Sequence, residues 1–209
     1  MLRDLVRRNR FYIEGDKSFL EIAPCARKAL KDCVIKLRGK NNRLIIMAGA
    51  QLGHTQIRLE GEGNTVIIRE NCHYRSGKIY CKEGVNMTVD IGAGTTVEGA
   101  YIYADEGADI TIGDDCMLST DLMIRTGDKH SMLDLATGER TNPSSSIVIG
   151  DHVWIARSAT VLKGVTINSG SVVAAHSVVA KSTTENNVCV AGNPGREVKK
   201  GIAWSRARL

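Results

Sequence analysis

From Ile149 onward an aliphatic residue returns at every sixth position: Ile149, Ile155, Val161, Ile167, Val173 and Val179. Four residues after each stands a small or β-branched side chain: Val153, Ala159, Val165, Ser171, Ser177 and Thr183. A helix would return its apolar face after three and four residues, and a hairpin would alternate up to a reversing turn. A strict six fits neither. It fits a short strand followed by a corner, the aliphatic side chain directed inward and the small one near the bend. Gly150, Gly164, Asn168 and Gly170 supply residues suited to permissive corner dihedrals. Three hexamers close one turn of a triangular coil. Stacked coils pair their strands in parallel, and each buries its inner face only against its neighbours.

Upstream the step persists within coils, as in Ile91, Val97 and Tyr103 and again in Ile112, Leu118 and Ile124. Successive coil starts near Gly63, Gly84 and Gly107 lie farther apart than three hexamers, so one corner carries a few extra residues. The segment from Gly39 to Met47 reads as an earlier start. The pattern therefore predicts an all-β solenoid, a parallel β-helix of about six coils over 39–188. Residues 1–38, where Pro24 interrupts a mixed apolar and basic stretch, are expected to form an N-terminal cap segment. Residues 189–209 are expected to form a turn at Asn193-Pro194-Gly195-Arg196 and a short C-terminal helix.

Between Ile124 and Ile147 the rhythm stops. A protruding loop near 125–146 is expected, and loops of that length in compact folds usually carry function. It contains His130, one of five histidines.

Composition agrees with a narrow, repetitive interior: aromatics are only 4% and glycines number 21, so aliphatic and small residues must fill the core. The net charge of +5 is concentrated at the ends, with Arg3, Arg7, Arg8 and Arg10 at one and Arg196, Lys199, Lys200, Arg206 and Arg208 at the other. No nucleic-acid-reading motif accompanies them, so no nucleic acid partner is expected. The six cysteines form no CxxC pair and are too sparse for a disulfide scaffold. The first residues lack the apolar stretch of a signal peptide, and no run approaches the ~20 apolar residues of a membrane span. These features point to reduced thiols and a cytoplasmic location.

The stretch Thr126-Gly127-Asp128-Lys129-His130-Ser131, followed by Ile147-Val148-Ile149-Gly150-Asp151-His152-Val153-Trp154-Ile155, resembles the hexapeptide-repeat acyltransferases of the left-handed β-helix superfamily. Ala191-Gly192-Asn193-Pro194-Gly195-Arg196 resembles the Gly-Asn-Pro signature of the same group. The likeness covers about 89–200 and is greatest to bacterial polysaccharide and capsule O-acetyltransferases, those of polysialic acid included. It implies acetyl-CoA as acetyl donor, no metal, and a homotrimer with active sites between subunits. It implies His130 as general base, drawing a proton from an acceptor hydroxyl; an imidazole with pKa near ~6.5 suits that task. Asp128 and Asp134 are both near enough in sequence to orient it. Trp154, one residue after inward Val153, points outward and would line the acetyl-CoA and acceptor region, while His152 reads as an ordinary surface residue. Ala156, Ser158, Ala174 and Ala175 sit at corners, where small side chains leave backbone amides open to a pantetheine arm. Lys181 and Arg196 fit phosphate contacts to the nucleotide end of coenzyme A, with Lys163, Lys199 and Lys200 as weaker choices.

The acceptor is open in the sequence. A bacterial surface glycan, sialic-acid polymers included, competes with a nucleotide sugar or another small molecule. Cys72-His73-Tyr74-Arg75, Lys78-Ile79-Tyr80, Tyr101 and Tyr103 form an exposed-looking mixture suited to sugars or an anionic polymer. A γ-type carbonic anhydrase would use the same solenoid with a three-histidine metal, but His54, His73, His130, His152 and His176 contain no HxxxxH pair. A non-catalytic solenoid would need neither the loop histidine nor the outward tryptophan.

Overall fold

Val97, Leu118, Ile124, Ile155, Val161, Val173 and Val179, read from the sequence as inward, stand in columns, whereas Tyr103 turns outward and Ile102 takes its place. In sheet A, Ile35, Ile57, Ile79, Ile102, Ile124, Val161 and Val179 are register partners on successive parallel strands. Leu52, Tyr74, Val97, Leu118, Ile155, Val173 and Val190 do the same in sheet C. Sheet B repeats the device with Leu44, Val66, Val89, Ile110 and Ile147. All are buried, and burial of such side chains is worth about 1.5–3 kcal/mol each. The computed structural model describes residues 2–4 and 8–208, so Arg7 of the basic N-terminus lies outside it. Sheets A and C have nine strands each and sheet B has seven; the chain visits A, B and C in turn, winding a left-handed parallel β-helix of about eight coils.

Coil width changes along the axis. The extra residues of the early coils lengthen the sheet A strands, which run Val34–Lys40, Thr55–Glu62, Gly77–Lys82 and Ala100–Asp105, against only Thr160–Val161 and Val178–Val179 later. The long strands leave sheet A through stacked glycines. Gly39 has φ +104°, and a Cβ there would lie 2.0 Å from the Gly61 carbonyl oxygen of the next coil, so only glycine fits. Beside them a buried asparagine ladder satisfies the corner backbone: the Asn64 amide donates to Asn42 Oδ1 and the Met87 amide to Asn64 Oδ1, both at 3.0 Å.

Further sequence expectations need correction, and the coils number about eight rather than six. Residues 1–38 are not an irregular cap: Asn9–Glu14, Phe19–Ile22 and Leu30–Lys31 join sheets A, B and C as a first coil. Its inward residues Phe11, Leu20 and Leu30 are spaced by nine, across a long sheet A strand and its corner, and by ten, across a corner filled by a helix, Pro24–Ala29. No C-terminal helix forms among the described residues, and Arg196–Lys199 is instead a strand antiparallel to Cys189–Ala191. That pairing covers the last open edge of sheet C, whose backbone groups a helix would leave unpaired. Finally, Cys72 and Tyr74 are core residues, not surface. Tyr74 fits inside the wide coils and donates its hydroxyl to the Ala100 carbonyl at 2.8 Å.

Candidate active site

The loop over 126–146 leaves the sixth coil at the corner between sheets A and B, after Leu122–Arg125 and before Ile147–Ile149. Its neck is held by a buried asparagine. Asn142 is 2% exposed; its Nδ2 donates to Asp128 Oδ2 and to the His130 carbonyl, both at 2.9 Å, and its Oδ1 accepts from the Met132 amide at 2.7 Å. Lys163, from the coil above, donates to the same Asp128 oxygen at 2.7 Å and to the Asn142 carbonyl at 3.0 Å. Lys129 reaches down to buried Asp105 at 2.5 Å, and Arg140 to Glu106 at 2.9 Å. The Lys163 and Asn142 hydrogen bonds hold the Asp128 carboxyl below its usual range, and those of Arg140 and Ser144 do the same for Glu106. Beyond the neck the loop closes as a small hairpin, with Leu133 bridged to Arg140 and an Asp134 side chain accepting from the Ala136 and Thr137 amides at 2.9 Å. Its tip exposes Met132, Leu133 and Leu135.

His130 is therefore fixed through its backbone, while its side chain is exposed. Neither carboxylate considered in the sequence orients its ring. Asp128 is committed to Lys163 and Asn142, and Asp134 caps the hairpin tip. Lys163, weighed earlier as a phosphate contact, is a clamp on the loop.

Trp154 lies half-buried on the outer face of sheet C, between Met117 below and Val172 above. Ala156 and Ala174 stack just past the same strands, at the corner leading to sheet A, and Ser158 follows with φ 58°. The expectation of open amides there is corrected. The N–H groups of Ala156, Ser158 and Ala174 already donate to the carbonyls of Val173, Thr120 and Val190, at 2.8, 2.9 and 2.8 Å. What the corner offers is a low, small-residue edge. Lys181 and Arg196 are exposed near the last coil, where Arg196 Nη1 donates to the Gly195 carbonyl at 3.0 Å. The fold thus brings Trp154, Ala156 and Ala174 together. His130 belongs to the corner opposite sheet C and does not join them within one chain.

Sequence reasoning missed a second group. His152 is not an isolated surface residue: its Nδ1 lies 2.7 Å from Asp115 Oδ2, and its ring stacks on Trp204 at 4.1 Å between centroids. Trp204 donates its indole N–H to the His152 carbonyl at 2.8 Å and stands 6.2 Å from the Trp154 ring. Arg206 closes the group on Asp115 and Thr96. Burial pushes the Asp115 carboxyl up, but the His152 and Arg206 hydrogen bonds outweigh it and leave it lowered. The C-terminal segment is thereby laid across sheet C beside Trp154. No local pattern announces this, since His152 and Trp204 are 52 residues apart.

Comparison with known proteins gives this geometry a family. The model of bacterial transferase hexapeptide repeats matches residues 146–181. The chain is 36% identical over 168 residues to a polysialic acid O-acetyltransferase of Neisseria meningitidis, covering 80% of this chain and 77% of that protein. It is 32% identical over 119 residues to the one of Escherichia coli O1:K1, covering 56% of this chain but only 38% of that longer protein. The crystal structure of the polysialic acid O-acetyltransferase OatWY superposes with a TM-score of 0.90 at 31% identity, covering 95% of this chain and 92% of that one. With the fold shared along nearly its whole length and the sequence matched over four-fifths of it, the chain belongs to the polysialic acid O-acetyltransferase family of hexapeptide-repeat acetyltransferases.

Proposed function

We propose that the protein transfers an acetyl group from acetyl-CoA to a hydroxyl of an acidic, sialic-acid-containing capsular polysaccharide in the cytoplasm. The observation that carries this is the 36% identity over 77% of the length of a polysialic acid O-acetyltransferase. In this reading His130 is the general base. It removes the acceptor hydroxyl proton as that oxygen attacks the thioester carbonyl, and the thiol of coenzyme A leaves with a proton. Such assistance is worth about 10²–10⁴ in rate. Trp154, Ala156, Ser158 and Ala174 form the edge along which the pantetheine arm lies, with Lys181 and Arg196 toward the phosphates. No metal takes part in the reaction.

The separation of His130 from sheet C supports a homotrimer in which the loop of one subunit meets Trp154 of the next. The apolar tip at Met132, Leu133 and Leu135 favours burial against another subunit. A trimer of this kind has three equivalent sites.

The test is thiol release from acetyl-CoA with polysialic acid, a neutral capsular polymer and a nucleotide sugar as acceptors. Release is expected with the acidic polymer, and His130→Ala is expected to lower it by about 10²–10⁴ with the melting temperature unchanged. A variant as active as the parent would overturn the mechanism, and preference for the nucleotide sugar would overturn the acceptor.

A further inference from the structure

Four of the five tyrosines of this aromatic-poor chain lie on one surface, the outer face of sheet A. Tyr12, Lys36, Arg58, Tyr80, Tyr103 and Arg125 occupy the same outward position on six successive strands. Beside them Gln56, Lys78 and Tyr101 form a second row. Cations and rings alternate in contact: Lys36 stands 5.2 Å from the Tyr12 ring, Arg58 5.1 Å from Tyr80, and Lys78 5.4 Å from Tyr101. The Tyr80 and Tyr103 rings are tilted against each other at 5.4 Å.

The charges of this face are sorted. Toward sheet B, Arg38 pairs with Glu14 and Lys82 with Glu60, and Lys129 of the loop reaches Asp105. On the tyrosine rows Lys36, Arg58, Lys78 and Arg125 have no carboxylate partner among the described residues. Two guanidinium nitrogens there, Arg58 Nε and Arg125 Nη2, are buried without an acceptor, a state that costs free energy unless an acceptor arrives from outside. Lys78 and Tyr101 also border a hollow of about 310 Å³ at the corner shared with sheet C.

We infer that the outer face of sheet A is the acceptor track, binding an extended acidic polysaccharide along the solenoid axis. The inference rests on the proposed acidic polymer acceptor. Tyrosine rings present an apolar body to the face of a sugar and a hydroxyl to its edge. The unpaired lysines and arginines supply charge-assisted hydrogen bonds to its carboxylates. Stacking on the rings holds the cations extended in advance, so less side-chain freedom is lost on binding. At ~4.8 Å between strands, six strands span about 24 Å, room for several sugar units. The row ends at Arg125, from which the loop bearing His130 departs. A second copy of the chain is a poorer occupant, because interface centres are depleted of charge. Uncharged outward side chains lie elsewhere, at Val148 and Thr166 on sheet B and at Met117 and Val172 on sheet C.

The experiment measures polysialic acid binding and turnover by the full-length parent, Arg58→Gln, and the double variant Lys36→Gln/Lys78→Gln, with light scattering and melting curves on each. Both variants are expected to bind long polymer about tenfold more weakly. Their KM for polymer should rise while that for acetyl-CoA holds. The parent's affinity should fall with salt more steeply than theirs, and Arg58→Lys should recover part of the loss. Unchanged polymer affinity in folded variants would overturn the track and leave the enzyme's function standing. Loss of the oligomer on substitution would overturn it too, marking the face as a subunit contact. A parent that neither binds nor acetylates any acidic polymer would overturn the functional reading itself, and the track with it.

Discussion

The first five coils and the last two share the same aliphatic columns and differ in width and in exterior. Inward, both stack Ile, Val and Leu in the same columns. Outward, the early coils spread sheet A strands of six to eight residues whose surface carries tyrosines, lysines and arginines. The last two coils reduce those strands to two residues and show Thr160 and Val178. Coil length in a solenoid is thus set by the surface it must present, because the core asks only that an aliphatic residue return at each wall. The broad region offers area to a long ligand, while the narrow one offers a slim, small-residue edge along which a thin pantetheine arm can lie.

The comparison is broken most severely from inside. Tyr74 is accommodated only because the wide coils have room, so Tyr74→Ala should leave a cavity and orphan the Ala100 carbonyl it bonds. A loss of about 3–5 kcal/mol is expected, by analogy with other large aromatic truncations, read by denaturant unfolding. Val161→Ala, in the narrow region, removes less volume and should cost clearly less. Equal losses would deny that the two interiors differ.

A smaller effect is expected at the junction. Asn142→Ala removes the bonds that hold Asp128 and the His130 carbonyl. Turnover should fall by about tenfold while the melting temperature shifts little. Proteolysis within 126–146 should become faster; an unchanged cleavage rate would show that the neck is held by other means.

A last effect is alkaline, and it is nil at neutral pH. Burial pushes the thiols of Cys33 and Cys116 up to about 11 and those of Cys72 and Cys81 to about 12, from 9.0. A thiol whose pKa is raised by folding contributes stability that is complete below the unfolded value and is lost as pH rises through the folded one. Stability should therefore decline between pH 9.0 and about 12, with each thiol adding at most ~1.4 kcal/mol per pH unit. Cys72→Ala/Cys81→Ala should flatten that decline, and an unchanged slope would assign it to other groups.

The inward columns of the late coils were legible in the sequence because there each depends on a six-residue return. The loop was legible as the failure of that return, and His130 and Trp154 stood out against it. The first coil was hidden because its inward residues are nine and ten apart, the first across a long strand and the second across a helix. Tyr74 was hidden because interior width depends on how far neighbouring strands run. Asn142, Trp204 and Arg206 were hidden for a different reason: their partners are distant in sequence, up to 110 residues for Arg206 and Thr96. Only folding makes them neighbours.

The central claim is that one active site takes His130 from one subunit and Trp154 from another. The most direct measurement mixes unfolded His130→Ala and Trp154→Ala proteins, each with little activity alone, and refolds them together before assaying acetyl transfer. In random trimers about one quarter of the sites would combine an intact histidine with an intact tryptophan, so activity should return to about a quarter of the parent's. If mixed trimers form but their activity is no higher than that of the separate variants, the two residues do not meet across subunits and the account is wrong.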